Sequence, residues 1–125
     1  MCYHAEGKAK PNLIRNWYER QNAAAQADFD NILRVLEVTK DWNRRTDVKI
    51  LDKEHKGLFE IRFTVNKVRY RPVGFLYSKS DCVLVLGCKK PRRDKYFPAN
   101  AFDKALSYKK MFLEQNKGTI HERDF

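Results

Sequence analysis

The sequence predicts an α+β fold in which helices pack on one face of an antiparallel β-sheet of three to four strands. Two segments, about 19–38 and the residues after Pro98, place apolar side chains at helical spacing, while the residues between them follow strand patterns. The chain has 125 residues, with no internal repeats and no linker-like tract. We therefore expect one domain over 1–125, with a polar leader at 1–11 and a C-terminal tail at 117–125.

Two amphipathic helices are the most distinct elements. The first, about 19–38, contains an alanine cluster, and its apolar face carries Ala25, Phe29, Ile32, Leu33 and Leu36. In the last helix Pro98 suits the first turn, Gly118 suits the stop, and the shared face carries Ala101, Ala105, Tyr108 and Phe112. Two shorter segments are ambiguous. At 12–18 we favour an edge strand over a first helical turn, and at 46–51 we expect a second, shorter helix or a turn.

The predicted strands lie between residues 59 and 87. Residues 59–65 alternate between apolar and polar side chains, as a half-buried strand does. Asn66 and Lys67 predict a two-residue hairpin turn, because Asn tolerates positive φ, and an extended run follows at 68–77. The mostly aliphatic run at 82–87 suits the middle of a sheet. Together these segments predict an antiparallel meander.

The charge of the chain is large and unevenly distributed. Its 26 Lys and Arg against 16 Asp and Glu give a formal net charge of +10. Residues 1–60 hold 11 basic and 10 acidic side chains, whereas residues 61–125 hold 15 basic and 6 acidic ones. An excess confined to one half favours an anionic partner such as a nucleic acid over a merely solvated basic surface.

Cysteine content and apolar runs bear on the location of the protein. Three cysteines are a small and odd number, which argues against a disulfide framework and for a reducing compartment. The longest apolar run is too short to cross a bilayer, and residues 1–8 lack the apolar stretch of a signal peptide. We therefore expect a cytoplasmic protein that does not bind a membrane. No metal-ligand pattern or phosphate-binding glycine loop is visible, so we expect no metal and no cofactor.

Two basic features are candidates for function. Arg62, Arg69 and Arg71 fall on or near one exposed sheet surface, where phosphate would relieve their repulsion, although pairing with Glu60 and solvent explains them equally well. The segment 89–97 is stronger, because five basic side chains in 89–95 precede two aromatic residues. Basic groups neutralise phosphates and aromatic rings stack on unpaired bases. This segment therefore predicts an RNA-binding loop, with a flexible charged loop as the alternative.

These segments resemble the RelE/ParE superfamily of toxins, and most closely its phage-derived, HigB-like branch. The resemblance covers about 12–115 and is carried by GLFEIRF at 57–63, YRP at 70–72 and LGCKK at 86–90. It implies a RelE-like sheet flanked by helices and the toxin of a type II toxin-antitoxin system. It also implies metal-free cleavage of messenger RNA, free or on the ribosome, and a cognate antitoxin of the helix-turn-helix kind.

The resemblance implies roles for individual residues. The catalytic candidates are Arg62, Arg71, Lys90 and Tyr96, and the RNA-binding candidates are Arg69, Lys89, Arg92, Arg93 and Lys95. Their positive groups would stabilise the transition state as the 2′-hydroxyl attacks the neighbouring phosphate. Two positions depart from the family pattern. Pro72 predicts a bulge or a sheet edge in the second strand, and Glu60, which matches no basic family position, could orient an arginine or act as a base.

A rival function uses the same scaffold. A ParE-like inhibitor of DNA gyrase, or a phage protein that binds a host complex, would need the fold without the catalytic set. His55 is a weaker candidate for proton transfer, and a solvated loop histidine is the simpler interpretation. Cys82 and Cys88 are expected to be packing residues.

Overall fold

The computed structural model describes residues 2–6, 12–77, 81–92, 95–113 and 119–122, and it confirms the predicted α+β class. Within these ranges the helices are α1 (Leu13–Glu19), α2 (Ala23–Val38) and α3 (Ala101–Leu113). The strands are β1 (Cys2–Glu6), β2 (Val48–Ile50), β3 (Leu58–Ile61), β4 (Phe63–Val65), β5 (Val68–Tyr70), β6 (Val73–Leu76), β7 (Cys82–Leu86), β8 (Lys89–Arg92), β9 (Lys95–Phe97) and β10 (Thr119–Glu122). In this part of the chain no helix is both long and apolar enough to cross a membrane.

The described strands form two sheets instead of the single predicted one. The larger sheet has six strands in the order β10-β1-β7-β6-β3-β2, and the smaller has four in the order β4-β5-β8-β9. In the larger sheet β1 runs parallel to β7, whereas the other described pairs are antiparallel. The larger sheet therefore has more strands than the three to four predicted for a single meander.

The outer strands of the larger sheet come from segments that the sequence marked as leader and tail. β1 and β10 pair with each other in a register that runs from Tyr3 opposite Glu122 to Glu6 opposite Thr119. Residues 2–6 of the expected polar leader and residues 119–122 of the expected tail are thus β-strands. Strand pairing uses main-chain hydrogen bonds, so these strands form without a long apolar run.

Helices cover both faces of the six-stranded sheet, which corrects the expectation that they lie on one face. Along β7, Leu84 packs on the side of α1 and α2, while Val83 and Val85 pack on the side of α3. The same division holds on β3, where Phe59 joins the first cluster and Leu58 the second. A strand buried on both faces is apolar throughout instead of alternating, and this explains the unbroken apolar sequence of β7.

The predicted faces of the two long helices are buried. In α2 the buried side chains are Ala25, Phe29, Leu33 and Leu36, with Ile32 partly buried, and in α3 they are Ala101, Ala105, Tyr108 and Phe112. The helix boundaries differ from the prediction. Asn22 caps α2 by accepting a hydrogen bond from the Ala25 N–H at 2.9 Å, and α3 begins at Ala101, after Asn100 with φ 60°. Pro98 therefore precedes the first turn of α3, and Gly118 lies outside the described residues.

Two short elements were assigned incorrectly from the sequence. Residues 12–18 were expected as a strand, but α1 forms because Asn12 accepts a hydrogen bond from the Arg15 N–H at 3.0 Å and Trp17 is buried one turn after Ile14. Residues 46–51 were expected as a helix or turn, but they contain β2, in which Val48 pairs with Ile61. The local preferences of both short segments are weak, so contacts with the rest of the protein decide their secondary structure.

The chain passes between the two sheets after β3, after β5 and after β7, and the sheets meet at these crossings. Arg62 lies between the end of β3 and the start of β4, and its N–H donates to the Asp47 carbonyl at 2.7 Å. β5 ends at Tyr70 and β6 begins at Val73, so the irregularity expected at Pro72 is a break between sheets. Arg71 N–H donates to the Cys88 carbonyl at 2.7 Å in the same region. We call this region the sheet junction.

Candidate functional site

A buried carboxylate lies at the centre of the sheet junction. Glu60 is only 1 % exposed. Its Oε1 accepts a hydrogen bond from Nε of Arg62 at 2.8 Å and forms an ion pair with Nη2 at 2.7 Å, and its Oε2 accepts a hydrogen bond from the Tyr96 hydroxyl at 2.7 Å. A buried charge is tolerated only when it is paired and hydrogen-bonded, and here both oxygens have donors. Glu60 thereby joins β3 in one sheet to β9 in the other.

Arg71 contributes a second guanidinium next to this carboxylate. Its Nη1 donates to the Tyr70 carbonyl at 2.7 Å, which folds the side chain back against β5. Burial lowers the pKa of Arg71 from its ordinary value, and the negative charge of Glu60 partly offsets that effect. The positive charges of Arg62 and Arg69 lower the pKa of Arg71 further. Arginine remains protonated at neutral pH, and the junction therefore holds concentrated positive charge.

Tyr96 connects the carboxylate to a lysine. The Lys90 ammonium lies 5.4 Å from the centre of the Tyr96 ring, within the range of a cation–π interaction. Burial raises the pKa of the Tyr96 phenol, and the hydrogen bond to Glu60 raises it further. The phenol thus keeps its proton at neutral pH and donates it to Glu60. It cannot serve as a general base in this state.

The structure brings the four catalytic candidates together at the sheet junction. Arg62 and Tyr96 bond to Glu60, and the charge of Glu60 acts on Arg71. Lys90 joins them through its contact with the Tyr96 ring. The RNA-binding candidates are more dispersed. Arg69 is close enough to influence Arg71, whereas Lys89 pairs with Phe97, on the face of β9 opposite Tyr96. Lys95 is exposed beside Tyr96. Arg92 belongs to β8 by its main chain, and Arg93 lies outside the described residues.

The segment expected as a loop is largely a β-hairpin. Lys89–Arg92 and Lys95–Phe97 pair as antiparallel strands, and Tyr70 pairs with Lys89 to attach them to β5. The pairing fixes the backbone that carries Lys90 and Tyr96, as a flexible charged loop would not. This arrangement holds their side chains against the junction.

Two neighbours of this site were underestimated from the sequence. The sequence offers Glu60 as a partner for an arginine or as a base. Its central position is hidden because the alternation of apolar and polar residues in 59–65 predicts an exposed side chain at Glu60. His55 was expected in solvent, but its Nε2 lies 3.2 Å from Oδ1 of Asp103 and its ring centre 5.3 Å from that of Phe102. No local signal relates His55 to Asp103, since 48 positions separate them.

The cysteines behave as packing residues, as expected. Cys82 and Cys88 are buried and are not joined in a disulfide. The Cys88 thiol donates to the Arg71 carbonyl, and burial raises its pKa to about 12. A thiol with so high a pKa is almost entirely protonated at neutral pH and is a poor nucleophile.

Comparison of the chain with protein-family models, curated proteins and solved structures finds no match. The arrangement itself defines a class of site. Three positive side chains, those of Arg62, Arg71 and Lys90, surround one buried carboxylate and one protonated phenol. Such a set can bind an anion and stabilise added negative charge on it.

Proposed function

We propose that this protein is a metal-free endoribonuclease that cleaves messenger RNA, free or on the ribosome, and acts as the toxin of a type II toxin-antitoxin system. The observation that carries the proposal is the convergence of Arg62, Arg71, Lys90 and Tyr96 at the sheet junction. They come from four separate segments. A solvated basic surface would not require them to meet around one carboxylate.

The geometry suggests how the reaction would proceed. The ribose 2′-hydroxyl attacks the adjacent phosphorus and the bond to the 5′-oxygen breaks, while the phosphate gains negative charge. Arg71 and Lys90 stabilise that charge, and Glu60 holds Arg62 and Tyr96 beside it. Tyr96 keeps its proton at neutral pH because its pKa is raised, so it does not take the proton of the 2′-hydroxyl. The proton of the 2′-hydroxyl therefore leaves to water, and the departing 5′-oxygen takes a proton from water, so that the products are a 2′,3′-cyclic phosphate and a 5′-hydroxyl.

One observation favours a second candidate function. Glu60 already accepts a hydrogen bond from Nε of Arg62 and forms an ion pair with its Nη2, so this side of the guanidinium faces the carboxylate and not a phosphate. A non-catalytic binder, such as a ParE-like inhibitor of gyrase or a phage protein that binds a host complex, would need no free arginine fork there. Expression distinguishes the two functions: the endoribonuclease leaves cleaved transcripts, whereas the gyrase inhibitor leaves intact RNA and a DNA-damage response.

The proposal includes a partner and a location. The basic half of the chain, with 15 basic and 6 acidic side chains in residues 61–125, would bind polyanions indiscriminately if uncovered. We propose that an antitoxin of the helix-turn-helix kind covers it with an acidic or helical segment. We also propose a cytoplasmic location, because the proposed substrate, messenger RNA, occurs there and reduced cysteines such as Cys82 and Cys88 are usual in that compartment. Co-purification of an untagged small partner from cells that express the operon would test this.

The decisive experiment truncates the two candidate charges. Arg71→Ala and Lys90→Ala should each slow RNA cleavage about a hundredfold, as loss of one electrostatic donor typically does. Arg44→Ala and Lys110→Ala are matched controls, because both side chains are exposed and lie outside the site. Single-turnover cleavage of a labelled transcript measures the rates, and thermal unfolding confirms that each variant is folded. Normal cleavage by both site variants would reject this assignment of the site, and failure of the parent to cleave any RNA would favour the non-catalytic binder.

A further inference from the structure

We propose that the groove beside Tyr96 is a subsite for one unpaired nucleobase of the RNA, a binding site separate from the charges that hold the phosphate. This inference rests on the proposed function, because it assumes that RNA is the ligand. The groove lies between β9, the start of α3 and the turn at Lys53–His55. The lining residues that matter are His55, Lys95, Tyr96, Asn100, Phe102 and Asp103.

Three aromatic rings form a continuous wall of this groove. The centres of the Tyr96 and Phe102 rings are 4.9 Å apart with an interplanar angle of 56°. The centre of the His55 ring is 5.3 Å from that of Phe102, at an angle of 55°. All three side chains are only partly buried, so a part of each remains accessible to a ligand. Partly exposed rings of this kind are where unpaired bases stack.

Polar groups at the rim of the groove match the edge of a base. The Asp103 side chain is 73 % exposed, and its Oδ1 contacts Nε2 of His55 at 3.2 Å. A carboxylate has about four acceptor positions, so this contact leaves others available. Asn100 adds an amide with both a donor and an acceptor. A base could therefore stack on the rings while its edge bonds to Asp103 or Asn100.

Tyr96 links this groove to the phosphate-binding charges. Its hydroxyl bonds to Glu60, which also holds Arg62, and its ring forms part of the groove wall. The Lys90 ammonium lies over the same ring. A nucleotide likewise joins a charged phosphate to an aromatic base. A base in the groove would thus leave its phosphate beside the junction.

The test uses short single-stranded RNAs that carry 2′-O-methyl groups and cannot be cleaved. In one series 2-aminopurine replaces each base in turn, and in a second series each position is made abasic. At one position we expect quenching of 2-aminopurine fluorescence on binding, and the abasic substitution there should weaken binding about tenfold. Phe102→Leu should remove both effects, because it keeps an apolar side chain but deletes the ring. Tyr77→Leu is the matched control, since Tyr77 is an aromatic side chain that is 51 % exposed and absent from the groove wall.

A second variant guards against misfolding of the first. If Phe102→Leu is unfolded in a thermal scan, His55→Leu replaces it in the test. This variant removes another ring of the wall and should likewise reduce the fluorescence quenching and the abasic penalty. If folded variants retain the full quenching and the full abasic penalty, or if no abasic position weakens binding to the parent, the groove is not a base subsite. Arg71→Ala separates the two proposals. If this variant binds every RNA more weakly than the parent does, but no position shows quenching or an abasic penalty, only the groove proposal fails. When the parent binds none of the RNAs, both proposals fail.

Discussion

Glu60 shows at the scale of one residue why the site has its geometry. A buried carboxylate loses the solvation that water gave it, so the structure must supply donors to both oxygens. Arg62 and Tyr96 supply them, and each is thereby held in one position. The arginine and the tyrosine are therefore oriented before any substrate arrives, and no ordering of these side chains remains to be done on binding.

Glu60→Gln tests this orienting role. The amide lacks the negative charge that holds Arg62, and its NH₂ group cannot accept the Tyr96 hydroxyl proton. We expect the free energy of unfolding to fall by about 1–3 kcal/mol, less than for a fully buried pair because Arg62 is partly exposed. Urea unfolding measures the change, with the exposed Glu37→Gln as its control. Cleavage should also slow through kcat more than through KM, and equal stability of the variant and the parent would contradict the role.

The Cys88 thiol predicts a loss of stability at alkaline pH. In the unfolded chain this thiol releases its proton near its ordinary pKa of 9.0, whereas in the folded protein the pKa is about 12. Between these values the unfolded state binds fewer protons, so the free energy of unfolding falls as the pH rises, by roughly 1 kcal/mol per pH unit. Cys88→Ala should reduce that slope. Denaturant unfolding between neutral pH and pH 12 measures it, and an unchanged slope in the variant would count against the raised pKa.

At the scale of the element, the β4–β5 hairpin is the clearest agreement between sequence and structure. Val65 pairs with Val68, and the two residues between them have φ of 50° at Asn66 and 68° at Lys67. Both central residues are left-handed, as a type I′ turn requires, and Asn was the residue that predicted it. The second position is less suitable, since a lysine with positive φ carries a steric cost that glycine avoids.

Lys67→Gly should therefore stabilise the protein. Glycine is the preferred second residue of this turn, and we expect the free energy of unfolding to rise by about 0.5–1 kcal/mol. Lys67 is exposed, so its removal should cost little packing. Chemical unfolding of the variant measures the gain, with the exposed strand substitution Thr64→Gly as a contrast that should destabilise. A Lys67→Gly variant no more stable than the parent would show that the turn is not strained there.

Other elements show where local patterns were sufficient and where they were not. The faces of α2 and α3 follow from periodicity, because a long amphipathic helix has one solution for burying its apolar side. In α1, which has seven residues, the pattern was too brief to separate helix from strand, and the Asn12 cap decided the outcome. β2 has three residues and exists because β3 offers a free edge.

At the scale of the whole molecule, the sequence predicted the individual residues of the candidate site but not their arrangement. Arg62, Arg71, Lys90 and Tyr96 were identified individually, through charge and resemblance. Their convergence depends on two sheets meeting, and no local pattern encodes that. The polar residue Glu60 interrupts an otherwise apolar strand, and its burial could be understood only once α3 was known to cover that side of the sheet.

The distribution of charge over the molecule predicts a strong salt dependence of RNA binding. The net charge is +10, and each phosphate neutralised by a side chain releases counterions. The logarithm of the association constant should fall linearly with the logarithm of salt concentration, and Arg71→Ala should make the slope shallower by about 0.7, the value for one phosphate contact on a single strand. Fluorescence anisotropy with an uncleavable RNA measures both slopes, with Arg44→Ala as the control. Affinity that does not change with salt would exclude phosphate as the main contact.

The pairing of β1 with β7 and β10 has a consequence for synthesis of the protein. The first of these strands leaves the ribosome long before its partners, because β1 ends at Glu6 whereas β7 begins at Cys82 and β10 at Thr119. During translation the main-chain donors and acceptors of β1 therefore cannot pair with these strands until residues 82–86 and 119–122 have been made. The segments carrying Arg62, Arg71, Lys90 and Tyr96 are synthesised before β10, so the six-stranded sheet is completed at this edge only after them.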